Sequence, residues 1–178
     1  APSGAGKTTI AHRVLEEIPE LEFSVSATTR DPRPDEIHGE DYFFMSEEEF
    51  REGLENDEFV EYEEVYPGQY YGTLKAQLER EAEDHPVLLD IDVRGATSVK
   101  KYFGDESFCI FIRPPSLEEL ERRLRGRATE TSDDLERRLQ RARTEMEFAD
   151  RFDVTVVNDE LDEAVEETLR YVRSFIGD

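Results

Sequence analysis

The sequence predicts an α/β protein in which a mainly parallel sheet is covered by helices on both faces. Two observations carry that expectation. Short, mainly apolar runs recur at 87–91, 107–112 and 154–157, the pattern of strands buried on both faces rather than strands with one wet side. Between and after them lie charged stretches whose apolar residues recur at helical spacing, so strands and helices alternate along the chain.

The elements follow in order. Residues 8–17 read as a helix, with Val14, Leu15 and Ile18 at helical spacing and Pro19 just beyond. Residues 21–26 alternate in the manner of a strand. The stretch 28–40 holds Pro32, Pro34 and Gly39 and reads as an ordered loop. A mixed region follows, with strands at 42–44 and 58–65 flanking a helix at 46–54. Ser46 with Glu49 three residues on, before Phe50, fits a capping box, and Glu47-Glu48-Glu49 then form the acidic first turn that a helix dipole favours. A further helix is expected over 73–83, and long charged helices over 117–125, 133–149 and 161–176.

Hydrophobic residues make up 37% of the 178 and charged residues 38%. That length suits one domain with a real core. No stretch approaches the ~20 apolar residues that span a bilayer. No basic segment followed by an apolar run opens the chain, so nothing points to secretion and a cytoplasmic location is expected. Cys109 sits within an apolar run and reads as a buried core thiol. His12, His38 and His85 are scattered, none at metal-ligand spacing, which argues against zinc. The net charge of −23, from 45 acidic and 22 basic residues, repels nucleic acid and anionic membranes, and neither is expected as a partner. Of the basic residues only Lys7, Lys75, Lys100 and Lys101 are lysine. An acid-rich, lysine-poor surface resembles those of proteins from salt-accumulating halophiles.

The chain opens Ala1-Pro2-Ser3-Gly4-Ala5-Gly6-Lys7-Thr8-Thr9. Gly6, Lys7 and Thr8 match the end of the P-loop pattern, while Ala1 stands where that pattern begins with glycine. Small residues and glycines let backbone N–H groups turn inward around phosphate oxygens, and the helix that follows adds its positive end. Lys7 is the point charge for the β- and γ-phosphates, and the Thr8 hydroxyl is a ligand for Mg²⁺. The pattern calls for a strand before the loop. The sequence begins on the loop itself, so that strand is expected to be missing from the chain and the sheet to lack a central member. The fold class expected is therefore a P-loop NTPase three-layer sandwich.

Arg30 and Arg33 lie three apart and are held by prolines. They form a fixed cationic clamp, and guanidinium forks suit a phosphate monoester better than lysine does. Here the resemblance becomes specific. Ser24-x-Ser26-x-Thr28-Thr29-Arg30-x-Pro32-Arg33 is similar to guanylate kinases, as are Glu36, Gly39, Asp41 and Tyr42, then Phe59-Val60-Glu61-Tyr62 and Tyr70-Tyr71-Gly72-Thr73. The likeness continues through Asp90-Ile91-Asp92, Pro114-Pro115-Ser116, Arg123-Leu124-Arg125-Gly126-Arg127 and Asn158-Asp159. It covers essentially the whole chain, in order.

That resemblance implies an ATP:GMP phosphotransferase of purine nucleotide metabolism, with Mg²⁺ as cofactor and ATP and GMP as its small-molecule partners. It implies one domain over 1–178, with a core of 1–25, 75–123 and 143–178, a small mixed α/β GMP-binding subdomain over 26–74 and a helical lid over 124–142. By resemblance the GMP phosphate is held at Arg30, Arg33, Tyr42 and Tyr71, and the guanine is read at Ser26, Glu61 and Thr73. A carboxylate such as Glu61 accepts from guanine N1–H and the 2-amino group together, whereas adenine offers neither donor there. Asp90 and Asp92 end an apolar run, where ligands sit in open parallel sheets. They are implicated on the GMP side and, for Asp92, indirectly at the metal, though a strand-end acid can equally cap the next helix. Arg123, Arg127 and Arg138 match lid arginines that close on ATP, with Arg141 a weaker candidate, and cations brought in this way stabilise the charge of phosphoryl transfer. Arg122, Arg125, Arg137 and Arg143 are expected to pair with acids on their own helices. Asn158 resembles the position that contacts the donor adenine.

Departures from the pattern are Ala1, Asp35 and Ala128 at usual glycines and a longer connection at Pro67. Two other readings stay open. One is a non-catalytic module of the same fold that binds phosphopeptides, against which Lys7, Thr8 and the lid arginines argue. The other is a P-loop kinase for a different acceptor, such as a ribosyl bisphosphate, against which Ser26, Glu61 and Thr73 argue. A monomer or small homo-oligomer is expected.

Overall fold

Helices and strands alternate in the computed structural model, which describes residues 1–2, 4–125 and 132–177. The order is α1 (Lys7–Glu17), β1 (Glu22–Phe23), β2 (Ala27–Thr28), β3 (Phe43–Phe44), α2 (Glu47–Glu55), β4 (Phe59–Tyr66), β5 (Gln69–Leu74), α3 (Lys75–Ala82), β6 (Val87–Leu88) and α4 (Val93–Phe103). Then come β7 (Ile110–Arg113), α5 (Leu117–Arg125), α6 (Ser132–Met146), β8 (Val154–Val157) and α7 (Leu161–Ile176), with short 3-10 turns before β7 and β8. The chain divides into two units, one of Ala1–Ile18 with Asp105–Asp178 and one of Pro19–Gly104.

In the Pro19–Gly104 unit a four-stranded sheet runs in the order β3-β2-β5-β4, and β1 and β6 form a separate parallel pair. Alternation along Tyr70-Tyr71-Gly72-Thr73-Leu74 divides the faces of β5. Tyr70 and Leu74 join Phe50, Phe59 and Ala27 in one apolar cluster, so Tyr71 and Thr73 point the other way. Phe50 of α2 is fully buried and stacks on Phe59 at 4.3 Å and on Tyr70 at 5.2 Å between ring centroids. The helix that carries it starts on the expected capping box: Ser46 Oγ accepts from Glu49 N, and the Glu49 carboxylate accepts from Ser46 N.

Several elements differ from the sequence reading: the strand expected over 21–26 is confined to β1, and no strand was expected where β5 lies. The helix expected from residue 73 begins at Lys75, because β5 runs to Leu74 and buries that side chain in the sheet cluster. Helix α4 was given no bounds from sequence. Its residues Val93, Gly95, Thr97, Ser98 and Val99 are indifferent helix formers, and tertiary contacts override that. Asp92 caps it by accepting from Gly95 N at 2.7 Å, and Val93, Ala96 and Val99 are buried.

In the other unit β7 and β8 pair in parallel from Ile110↔Val154 to Arg113↔Val157. Leu120 and Leu124 of α5 pack with Ala142 of α6, and Arg13 of α1 reaches Asp162 of α7. Cys109 is half-buried rather than buried. Among the described residues the Pro19–Gly104 unit thus holds two parallel pairs, β1 with β6 and β2 with β3, and the other unit holds one, β7 with β8.

Candidate functional site

In the Pro19–Gly104 unit, Arg30, Tyr42 and Tyr71, three of the candidate phosphate residues, lie against one another. Arg30, just after β2, is bound from several sides. Its Nη1 and Nη2 each donate to one oxygen of Glu36 at 2.8 Å. Its Nε donates to the Tyr71 hydroxyl at 3.3 Å, and the guanidinium lies 5.3 Å from the centre of the Tyr42 ring. This fork raises the Arg30 pKa above the arginine norm, and the same bond, reinforced by the Arg33 N–H, lowers Glu36 from 4.5 to about 2. The Tyr71 hydroxyl also accepts from Gln69 Nε2 at 3.2 Å, which leaves its own proton directed to a further acceptor. Arg33 is largely exposed.

The guanine-reading candidates share a row across the sheet. Glu61 of β4 stands directly opposite Thr73 of β5, whose hydroxyl donates to Glu61 Oε1 at 2.6 Å. Ala27 pairs with Gly72, so Ser26, one residue earlier, is level with Thr73. Tyr71 lies on the same face as Thr73, two residues or about 7 Å along β5. Both Glu61 and Thr73 are buried. Burial raises the Glu61 pKa, the Thr73 bond works against that, and the nearby Asp92 charge adds to it. Asp92 itself caps α4, the structural role weighed for it from sequence. Asp90 is half-buried just beyond β6.

In the other unit the glycine-rich loop feeds directly into α1. Gly4 and Gly6 have φ of +89° and +94°, a left-handed backbone that lets the loop turn into the helix and that other residues resist. Ala5 is fully buried and Lys7 half-buried, while the Thr8 and Thr9 side chains are exposed at the helix start. Asn158, just past β8, donates from Nδ2 to the Ala5 carbonyl at 2.7 Å. Arg123 of α5 donates to Glu119 at 2.8 Å and to the Asp159 carbonyl at 3.4 Å, and Arg122 bonds the same Glu119. These pairings hold Glu119 at about 2. Arg125 pairs with Glu121, as expected of a helix-face arginine. Arg141 pairs with Glu145 on its own helix, and Arg138 lies on α6. Ser3, Arg127 and Ala128 lie outside the described residues.

Two residues given no role from sequence emerge here. Glu36 binds both the Arg30 guanidinium and the Arg33 N–H. Its signal was its spacing, three and six residues after the two arginines. Gly95 is the other. A Cβ there would meet Glu61 Oε2 at 2.8 Å, a contact that no local sequence pattern announces.

Residues 1–175 match the family model described as guanylate kinase. A guanylate kinase of Salinibacter ruber is 60% identical over 177 residues, spanning 99% of this chain and 94% of that protein. One of Bacteroides fragilis is 47% identical over 178 residues, spanning 99% and 87%. Among solved structures, the crystal structure of guanylate kinase from Anaplasma phagocytophilum superposes with a TM-score of 0.71 at 32% identity, over 94% of this chain and 80% of that one.

Proposed function

The chain belongs to the guanylate kinase family, and from that premise we propose how its residues divide the work. The activity is that of a nucleoside monophosphate kinase: the γ-phosphate of ATP passes to GMP, giving ADP and GDP. The fold is the mixed α/β fold of P-loop NTPases.

On the acceptor side, Arg30, Arg33, Tyr42 and Tyr71 hold the GMP phosphate, while Ser26, Thr73 and Glu61 read the guanine, with Asp90 on the same side. The Glu61–Thr73 pair carries this assignment. A buried carboxylate whose pKa is raised by burial gains most from a ligand with two adjacent N–H donors, and guanine has them. On the donor side, Ser3, Gly4, Ala5, Gly6, Lys7, Thr8 and Thr9 take the ATP phosphates, with Asn158 alongside. Arg123, Arg127 and Arg138 complete the charge stabilisation on lid closure, when phosphate would replace Glu119 as the partner of Arg123. An anionic GMP oxygen is already the nucleophile, so the reaction needs no separate base.

Among the described residues no group of three or more His, Cys, Asp or Glu side chains could hold a metal. A Mg²⁺ would arrive with ATP, with phosphate oxygens and water in its shell. Thr8 would supply a hydroxyl to it and Asp92 an indirect carboxylate. The ion supplies neutralisation of phosphate charge.

The proposed organisation is the core of 1–25, 75–123 and 143–178, the GMP-binding part of 26–74 and the lid of 124–142. No helix among the described residues is long and apolar enough to cross a membrane, and we propose a cytoplasmic enzyme acting as a monomer or small homo-oligomer.

The test is ADP formation from ATP and Mg²⁺ with GMP, with AMP and with no acceptor. GMP alone should drive turnover; equal rates with AMP would overturn the acceptor assignment. Lys7→Met should lower kcat by roughly a hundredfold or more, as loss of a preorganised transition-state charge does, with the circular dichroism spectrum unchanged. Near-normal turnover would remove Lys7 from the chemistry.

A further inference from the structure

We propose that Asn158 is a positioning residue for the phosphate-binding loop, acting through the Ala5 carbonyl rather than through the nucleotide base. The inference rests on the reading of residues 3–9 as the ATP phosphate site.

The side chain is held at both ends of its reach. Its backbone N–H donates to the Arg113 carbonyl at 2.8 Å, extending the β7–β8 ladder one step past Val157. Its Nδ2 donates to the Ala5 carbonyl at 2.7 Å, across 153 residues of sequence. Asn158 is 4% exposed and Ala5 not at all, so bulk solvent does not compete for either partner. A carbonyl only accepts, so the amide nitrogen is the one group of Asn158 that can serve it.

That bond fixes the direction of a peptide. In a trans peptide the C=O and the following N–H point opposite ways. With the Ala5 carbonyl turned onto Asn158, the Gly6 N–H is turned away from it. The Ala5 N–H is bound within the loop, donating to the Pro2 carbonyl at 3.0 Å. The rotation of the Ala5–Gly6 unit is therefore set from one side by the chain's own turn and from the other by Asn158. Gly6 completes the fit. It has φ of +94°, and a Cβ on it would run into the Asn158 amide nitrogen. The glycine that the loop needs for its backbone is also the space that Asn158 fills. Loss of the Asn158 donor would leave the Ala5 carbonyl buried without a partner, and turning that peptide toward another donor would swing the Gly6 N–H out of place.

The experiment measures binding of Mg²⁺-ATP, Mg²⁺-triphosphate and GMP to the full chain, for the wild type and for Asn158→Ala and Asn158→Asp, with thermal unfolding alongside. Inorganic triphosphate has no base, so it separates loop geometry from adenine contact. Asn158→Ala should weaken ATP and triphosphate by the same factor, roughly tenfold, since misplacing a binding group by on the order of 1 Å can cost up to about a hundredfold. GMP affinity should stay within about twofold. Asn158→Asp keeps the shape but loses the donor when ionised, and should recover triphosphate binding relative to Asn158→Ala as acid protonates it and restores an O–H. That recovery is one that a purely structural role would not produce. A loss confined to ATP would overturn the proposal and make Asn158 a base contact. An equal loss of GMP, or no loss at all, would also overturn it. Failure of the wild type to bind triphosphate or ATP would overturn the reading of the loop itself, and the proposal with it.

Discussion

Glu61 is the residue at which burial and recognition meet. Its carboxylate is buried, its pKa is raised by that burial, and the Thr73 hydroxyl partly offsets the shift. Accepting from guanine requires the ionised form. As pH falls from neutrality, Glu61 takes up its proton above the ordinary carboxylate value of 4.5, so the KM for GMP should rise in weak acid while the KM for ATP holds. GMP's own second phosphate ionisation, near 6, also moves KM, and Glu61→Gln separates the two. The variant should have a higher GMP KM at neutral pH and keep only the phosphate's pH dependence; an unchanged neutral KM would make Glu61 structural. The stability sign is the reverse of the usual carboxylate case. A raised native pKa means that the ionised form costs stability above 4.5, and that cost is relieved as pH falls through the raised value. Glu61→Gln should therefore unfold no earlier than the wild type at neutral pH.

Glu36 has the opposite sign. Its pKa is lowered to about 2 by Arg30, so its contribution is complete above 4.5 and is lost as pH falls toward 2. Glu36→Ala should raise the GMP KM about tenfold, with kcat nearly unchanged, because it releases the Arg30 fork from its fixed orientation. A changed kcat with an unchanged KM would place Glu36 in the transfer step instead.

At the scale of elements, the site depends on what stands behind it. Alternation along β5 sends Tyr70 and Leu74 into the aromatic cluster and so presents Tyr71 and Thr73. That arrangement was legible in part. The motif at Tyr70-Tyr71-Gly72-Thr73 identified the residues, but the strand carrying them was not expected, since the reading placed no element over 66–72 and began a helix at 73. The helices at 117–125 and 161–176 and the strand at 154–157 were legible outright, because their apolar periodicity spans the whole element. Helix α4 was not, because its propensity is weak and its support is tertiary. The same helix holds the less visible half of the proposed guanine site, for Gly95 in its first turn leaves room for the Glu61 carboxylate. Gly95→Ala should improve helix propensity by about 1 kcal/mol yet raise the GMP KM several-fold, since the new methyl would press on Glu61 Oε2. A more stable protein with normal GMP binding would show that Glu61 can yield without loss.

At the scale of the whole molecule, the dominant quantity is a net charge of −23. Of the arginines proposed to serve phosphate, Arg30 and Arg123 are found already bound to carboxylates, so local pairing consumes part of the limited positive charge. What remains is an excess of acid on exposed surface, where self-repulsion opposes the compact state. Salt acts on this directly. The Debye length falls from about 10 Å at 0.1 M to about 3 Å at 1 M, which is comparable with the short Arg30–Glu36 and Arg123–Glu119 contacts of 2.8 Å. Long-range repulsion is thus screened before the short attractive pairs are, and the net effect of added salt should be stabilising. The thermal midpoint should rise by several degrees between 0.05 M and 2 M KCl, and the rise should shrink in a variant whose exposed Glu52 and Glu55 are replaced by Gln. Midpoints that are equal at the two salt concentrations would mean that the acidic surface carries no net repulsive cost. In that case the excess charge would serve hydration and solubility rather than the folding balance.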